Sequence, residues 1–271
     1  MSKEKSILFV RSGGGMPGVD IHVGIWRALQ SRGIVSTACA GTSAGALVSS
    51  LDAYGLDANQ AWHIVSGLND RDVYRKRFAY KLRKRASIMD ARPAITTIAR
   101  SLSGREQQKP LQVSVLNEAT GESIDVTRPK IADIYASMAI QGVFLPCKGR
   151  SDGGPVDYLP LPCEEICAAY NETWLLLAAP SWHYKAERES VVSRFLMAMS
   201  AMIQDQVGRT LERAVALQAK GYVIRIIRPE VGAGSSCLHF DHDLIDQAYE
   251  STQRQINEQL NGPKNDKKAE D

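Results

Sequence analysis

The sequence predicts an α/β protein: a single three-layer domain with a mainly parallel central sheet and flanking helices. Three observations carry that prediction. A short apolar run, Ser6–Val10, empties into the glycine-rich loop Arg11-Ser-Gly-Gly-Gly-Met-Pro-Gly18. A helical stripe follows, with Val19, Val23, Trp26 and Leu29 suitably spaced and Gly33 placed to stop it. A second apolar lead-in, Ile34-Val35, then enters Ala38-Cys-Ala-Gly-Thr-Ser-Ala-Gly-Ala-Leu47 and the helix-compatible run Ala46–Leu51. Strand, helix and strand in that order make a βαβ opening, and such units build parallel sheets.

The remaining elements follow in order. Residues 52–110 break the rhythm. Eight basic residues lie between Arg71 and Arg85, interleaved with Val73, Tyr74, Phe78, Tyr80 and Leu82. This stretch reads as a basic helical region, about 66–110, inserted in the domain, with Ser101–Pro110 as polar loop. Leu111–Leu116 and Ser123–Val126 read as strands about the turn Thr120-Gly-Glu, and Ile131–Gln141 as a helix ending near Gly142. Trp174–Ala179 is a continuous apolar strand. Ser190–Lys220 reads as one long amphipathic helix with Val192, Phe195, Met199, Met202, Val207, Leu211 and Val215 inward. Tyr222–Ile227 gives a strand and Asp243–Leu260 a last helix. No repeat or linker divides the chain, so residues 1–260 read as one domain. The charged stretch 261–271 reads as a disordered polar tail.

Composition narrows the class. At 271 residues, 44% hydrophobic and 23% charged, the chain has the make-up of a soluble globular protein with a sizeable core. A net charge of +3 implies little globally. The four apolar residues Ile7–Val10 fall far short of a signal sequence or a membrane span. Five cysteines without a CxxC pair point to free thiols in a reducing, cytoplasmic setting. Cys163 and Cys167 lack a matching His or Cys pair and read as packing.

Three loops hold the chemistry: Gly13-Gly-Gly-x-x-Gly18, Gly41-x-Ser43-x-Gly45 and Asp152-Gly153-Gly154. A strand–turn–helix around a GxSxG sequence is the context of a nucleophile elbow, which exposes the serine at a helix N-terminus. Acyl transfer needs a nucleophile, a base and donors for the oxyanion. Ser43, Asp152 and the backbone N–H groups of Gly13–Gly15 are candidates for these parts, and Pro17, lacking an N–H, is not a donor. A dinucleotide-binding reading also fits Gly13, Gly15 and Gly18, but no acidic residue closes the second strand and no Walker lysine is present. A Ser-His-Asp triad through His239 or His242 would suit an α/β-hydrolase order, yet an elbow at residue 43 leaves too few strands ahead of it. His22 reads as a packing residue behind the loop.

Together the three loops resemble the patatin-like phospholipase family. Similarity continues in Ala136-Ser-Met-Ala-Ile-Gln-Gly-Val-Phe-Leu-Pro146 and Leu238-His-Phe-Asp241, so that it covers roughly residues 6–250. The resemblance implies a serine–aspartate dyad with Ser43 as nucleophile, Asp152 as base, and Gly14 and Gly15 as oxyanion donors. It implies a lipid acyl hydrolase of phospholipase A or lysophospholipase type, with an acyl-enzyme intermediate and no metal or organic cofactor. An acyl-thioesterase or acyltransferase of related fold, or a non-catalytic lipid- or nucleotide-binding module, is the alternative. The family loop usually carries Arg or Lys before its last glycine. Here Pro17 stands in that place, so a cation is lost unless Arg11 or a basic residue of the inserted region replaces it.

The expected substrate is a phospholipid or another acyl-ester lipid, which lies at an interface. Arg75, Lys76, Arg77, Lys81, Arg83, Lys84 and Arg85, beside aromatic residues, suit docking on an anionic membrane surface. No nucleic-acid motif accompanies them. A homo-oligomer or an activating partner is a further expectation, since an unregulated phospholipase would damage its host's membrane.

Overall fold

The computed structural model describes residues 5–70, 75–76, 89–90, 92–178, 191–232 and 239–261. The chain opens with β1 (Ile7–Arg11), α1 (Gly15–Ser31), β2 (Ala38–Thr42), α2 (Ala44–Ala53) and α3 (Ala58–Ser66). A two-stranded ribbon, β3 (Arg75–Lys76) and β4 (Met89–Asp90), precedes α4 (Arg92–Leu102). Next come β5 (Leu111–Asn117), β6 (Ser123–Thr127), α5 (Ile131–Met138), β7 (Arg150–Asp152) and α6 (Glu164–Ala168). The last elements are β8 (Glu172–Leu176), α7 (Val191–Ala219), β9 (Ile224–Ile227) and α8 (Asp243–Asn261).

Seven strands form one mixed sheet in the order β6-β5-β2-β1-β8-β9, with β7 also on β5. The central pairings are parallel; β5 pairs antiparallel with β6 and with β7. Side chains of β1 alternate between two apolar clusters. Ile7 and Phe9 join Trp174, Leu176 and the faces of α1, α2, α3 and α8. Leu8 and Val10 join Leu175, Leu177 and the α7 residues Val207, Ala214 and Leu217. A strand buried on both faces favours apolar residues on both, which is why Ile7–Val10 reads as a continuous hydrophobic run. The three-layer α/β class expected from the sequence is the class observed.

Four local readings need correction. The second strand is Ala38–Thr42, beyond Ile34-Val35, and Val35 is 50% exposed. Small residues suit that strand because α2 lies close over it. Helix α5 stops at Met138, short of Gln141. On α7 the buried stripe runs through Val207, Ala214 and Leu217, with Ile203 and Leu211 packed beside them. Met202 and Val215, read as inward, are 53% and 57% exposed, because they lie a quarter-turn off that stripe. Within the basic region, Arg75–Lys76 is strand, with Arg75 opposite Asp90, and the following helix is Arg92–Leu102. Arg77, Lys81, Arg83, Lys84 and Arg85 lie outside the described residues, as does the tail beyond Asn261.

Candidate active site

Strand β5 builds the site. One of its edges carries β6; the other is shared by two strands arriving from opposite directions. β2 pairs along it as far as Thr42 opposite Ser114, and β7 takes over with Asp152 opposite Val115. Backbone register therefore brings the residue after β2 and the last residue of β7 together. Those residues are Ser43 and Asp152.

Ser43 occupies the sharp turn between β2 and α2 with φ 52 and ψ −120. A left-handed backbone at a non-glycine residue is strained, and here it lifts the side chain out of the β2–α2 connection. The turn is tight enough to demand its flanking glycines. A Cβ on Gly41 would lie 2.5 Å from the Gly45 backbone, and one on Gly45 would lie 2.4 Å from the carbonyl oxygens of Arg11 and Ser12. Ser43 is 7% exposed and Asp152 4%, so the pair is nearly closed off from water.

The Ser43 side chain lies close enough to the Asp152 carboxylate to favour its charged form. Asp152 Oδ1 accepts the Gly154 N–H at 2.7 Å. Burial disfavours the carboxylate and outweighs what Gly154 and Ser43 do to favour it, so the pKa of Asp152 is pushed up to about 6. The group is thus charged at neutral pH yet more basic than an ordinary aspartate. Gly153 packs against Ser114, where a Cβ would lie 2.8 Å from the carbonyl oxygen.

The glycine loop faces this pair from the start of α1. The Gly13 N–H is taken by the Tyr158 carbonyl at 2.8 Å, and the Gly18 N–H closes the first helical turn on Gly14 at 3.0 Å. That leaves the N–H groups of Gly14 and Gly15 at the helix mouth as candidate anion donors. Gly15 has φ 63, a left-handed conformation that favours glycine. Gly18 lies against Ala44, so the N-termini of α1 and α2 converge beside Ser43 and their partial positive charges add.

His22 braces the loop from behind. Its Nε2 donates to the Ser12 carbonyl at 2.8 Å. Burial lowers its pKa to about 3, so the ring is neutral. His242 has both ring nitrogens on acceptors, Asp20 Oδ1 and the Leu68 carbonyl, each at 2.9 Å. Two donated bonds require an imidazolium, and the Asp20 bond raises its pKa to about 8. His239 Nδ1 meets Asp70 at 2.5 Å. Of the two histidines that a triad would draw on, His239 is held by Asp70 and His242 by Asp20 and Leu68, and neither is bonded to Asp152.

Arg11 does not stand in for the cation lost at Pro17. Its guanidinium is fully buried under the elbow, where it bonds Asp52 Oδ2 at 2.7 Å and Ser49 Oγ at 3.2 Å. Lys109 joins the same carboxylate at 2.6 Å. Burial would raise the Asp52 pKa, but Arg11 and Lys109 hold it below the usual range. Burial and Asp52 push the neighbouring Cys39 thiol up to about 12, making it inert. Cys163 is exposed at the start of α6 and Cys167 is buried. Among the described residues, no cluster of three or more His, Cys, Asp or Glu is arranged for a metal, and no helix is long and apolar enough to cross a membrane. A cleft of about 440 Å³ at Leu8, Ala38, Leu111, Arg128 and Tyr170 lies at the other end of the strands and includes neither Ser43 nor Asp152.

Sequence reasoning missed two neighbours of the pair. Ser137 Oγ accepts the Ser43 N–H at 2.8 Å, and Gln141 Nε2 donates to the Asp152 carbonyl at 2.7 Å. Both fall in the Ala136–Pro146 stretch that carries the resemblance, which was the available signal.

An elbow serine against a buried carboxylate, on a mostly parallel sheet with a glycine loop at a helix mouth, defines a class of α/β acyl-transfer proteins. Residues 9–162, more than half of the chain, match the patatin-like phospholipase family, and the chain belongs to it. Among solved structures, VipD from Legionella pneumophila aligns at 16% identity and TM-score 0.53 over 93% of this chain and 66% of its own. The type III effector protein ExoU aligns at 13% identity and TM-score 0.44 over 94% and 53%. The chain thus spans about two thirds of the first and about half of the second. The VipD alignment is a likeness of fold. No curated protein sequence matches the chain.

Proposed function

We propose that the chain is a serine lipid acyl hydrolase of phospholipase A or lysophospholipase type. The observation that carries this reading is the strained Ser43, brought by the register on β5 beside a buried Asp152 whose pKa is about 6. Asp152 takes the hydroxyl proton as Ser43 Oγ attacks the ester carbonyl, and the tetrahedral oxyanion receives the N–H groups of Gly14 and Gly15. Protonated Asp152 gives its proton to the departing alcohol, leaving an acyl-Ser43. Water, deprotonated by Asp152, attacks that ester, and the proton returns to Ser43 as the fatty acid leaves. Gly13, Gly18, Gly41, Gly45, Gly153 and Gly154 shape these loops without touching the substrate. The substrate is a phospholipid or other acyl-ester lipid. The chain works in the cytoplasm and reaches its substrate peripherally, through the basic stretch from Arg75 to Arg85, with a homo-oligomer or activating partner as the control.

The test is fatty acid release from mixed anionic phospholipid vesicles by wild type and Ser43→Ala. Release abolished by the substitution is the expected result, and lysolipid among the products would fix the ester cut. Wild-type release that persists in Ser43→Ala would overturn the assignment. If neither protein releases fatty acid, failure of a fluorophosphonate probe to label Ser43 would favour the binding-module alternative.

A further inference from the structure

We infer that the segment Ser137–Gln141, at and just beyond the end of α5, is the positioning element for both reacting side chains. The inference rests on the reading of Ser43 and Asp152 as the reacting pair.

Three bonds converge on this pair from five consecutive residues. The fully buried Ser137 hydroxyl accepts the Ser43 N–H at 2.8 Å and donates to the Ser114 carbonyl at 2.7 Å. The Ala139 carbonyl accepts the Asp152 N–H at 3.0 Å. Gln141 Nε2 donates to Ser151 Oγ at 2.9 Å and to the Asp152 carbonyl at 2.7 Å. The β2–β5 pairing ends at Thr42 and Ser114, where the elbow twists Ser43 away from the ladder. The Ser137 hydroxyl bridges that break, joining the Ser43 N–H to a β5 carbonyl.

The bridge has two effects. It satisfies a buried backbone donor in a strained turn, where an orphan would favour relaxation of φ at Ser43. It also occupies the Ser43 N–H, so this group is not an oxyanion donor and the burden falls on Gly14 and Gly15. Gln141 performs the matching task for the base, since its amide holds the Ser151 hydroxyl and the Asp152 carbonyl on β7. Its Oε1 is buried without a hydrogen-bond partner. A buried amide kept with one end unpaired is costly, and its retained bonds are the two that hold β7. Nucleophile and base are thus referenced to one short segment as well as to β5.

Ser137→Ala, Ser137→Thr and Gln141→Met test this by the rate at which a fluorophosphonate labels Ser43, alongside kcat and KM for a soluble ester. Ser137→Ala is expected to keep a cooperative melt and lose about 10- to 100-fold in labelling rate and kcat, with KM little changed. The pH midpoint near 6 should stay in place, because the groups around the Asp152 carboxylate are untouched. Ser137→Thr, which keeps the hydroxyl, should recover part of the loss. A folded Ser137→Ala that labels at the wild-type rate overturns the inference. Should that variant not fold, Gln141→Met decides: an unchanged kcat refutes the element, and a fall in kcat at constant KM supports it. A wild-type protein that never labels at Ser43 refutes instead the reading on which the inference stands.

Discussion

At the scale of single residues, the proposed chemistry makes Asp152 a point where reactivity and stability are coupled. Burial raises its pKa from the ordinary 3.8 to about 6, so the fraction present as base grows through pH 6 and saturates above it. For a soluble ester, kcat/KM is expected to rise tenfold per pH unit below about 6 and to level off above, as a pH–rate profile would show. The stability consequence has the opposite sign. Because the folded-state pKa is raised, the group's favourable contribution is fully present below pH 3.8 and is lost as pH rises through about 6. At pH 8 the wild type carries the cost of a buried charge. Asp152→Asn keeps the size of the side chain without that charge. It should be more stable than wild type by about 1–3 kcal/mol in denaturant titrations at pH 8, a gain that vanishes near pH 3.5. A variant destabilised at pH 8 would mean that the carboxylate is well solvated. Ser43 and Asp152 were legible as residue types in glycine frames. Arg11 was not, because a charge reads as exposed until the partners that permit its burial, Asp52 and Ser49, are placed beside it.

At the scale of elements, the elbow depends on contact between backbones. Gly45→Ala puts a methyl 2.4 Å from two carbonyl oxygens at the end of β1, and neither is on a flexible side chain. The expected cost is about 1–3 kcal/mol of stability, read by chemical denaturation. Labelling at Ser43 should fall with it, since α2 has to back away and take the serine along. The opening βαβ unit was readable because glycines punctuate it. The position of β2 within it was not: Ile34-Val35 has the β-branched profile of a strand, and Ala38-Cys-Ala-Gly-Thr42 does not. Close packing under α2 selects small side chains there over β-propensity. Strand β7, three residues long, carries no periodic signal at all. The inward face of α7 was misjudged for a related reason: an apolar residue a quarter-turn off the stripe looks the same in sequence as one on it.

At the scale of the whole molecule, the fold is held with 16% identity to VipD across most of this chain, so the architecture tolerates wide exchange of side chains. On the proposed function, the basic stretch is where the chain meets its lipid interface. Charge reversal at Arg83, Lys84 and Arg85 is expected to weaken binding to anionic vesicles at least about tenfold at low salt, with the difference shrinking as salt rises. Equal binding by both proteins in a sedimentation assay would remove this stretch from the docking surface. The shared edge of β5 also has a consequence for synthesis. Ser43 leaves the ribosome more than a hundred residues before Asp152. Until β7 docks beside β2, the nascent chain holds a serine with no base against it. On the proposed chemistry, translation itself supplies a safety catch, and the protein becomes reactive only once its sheet is built.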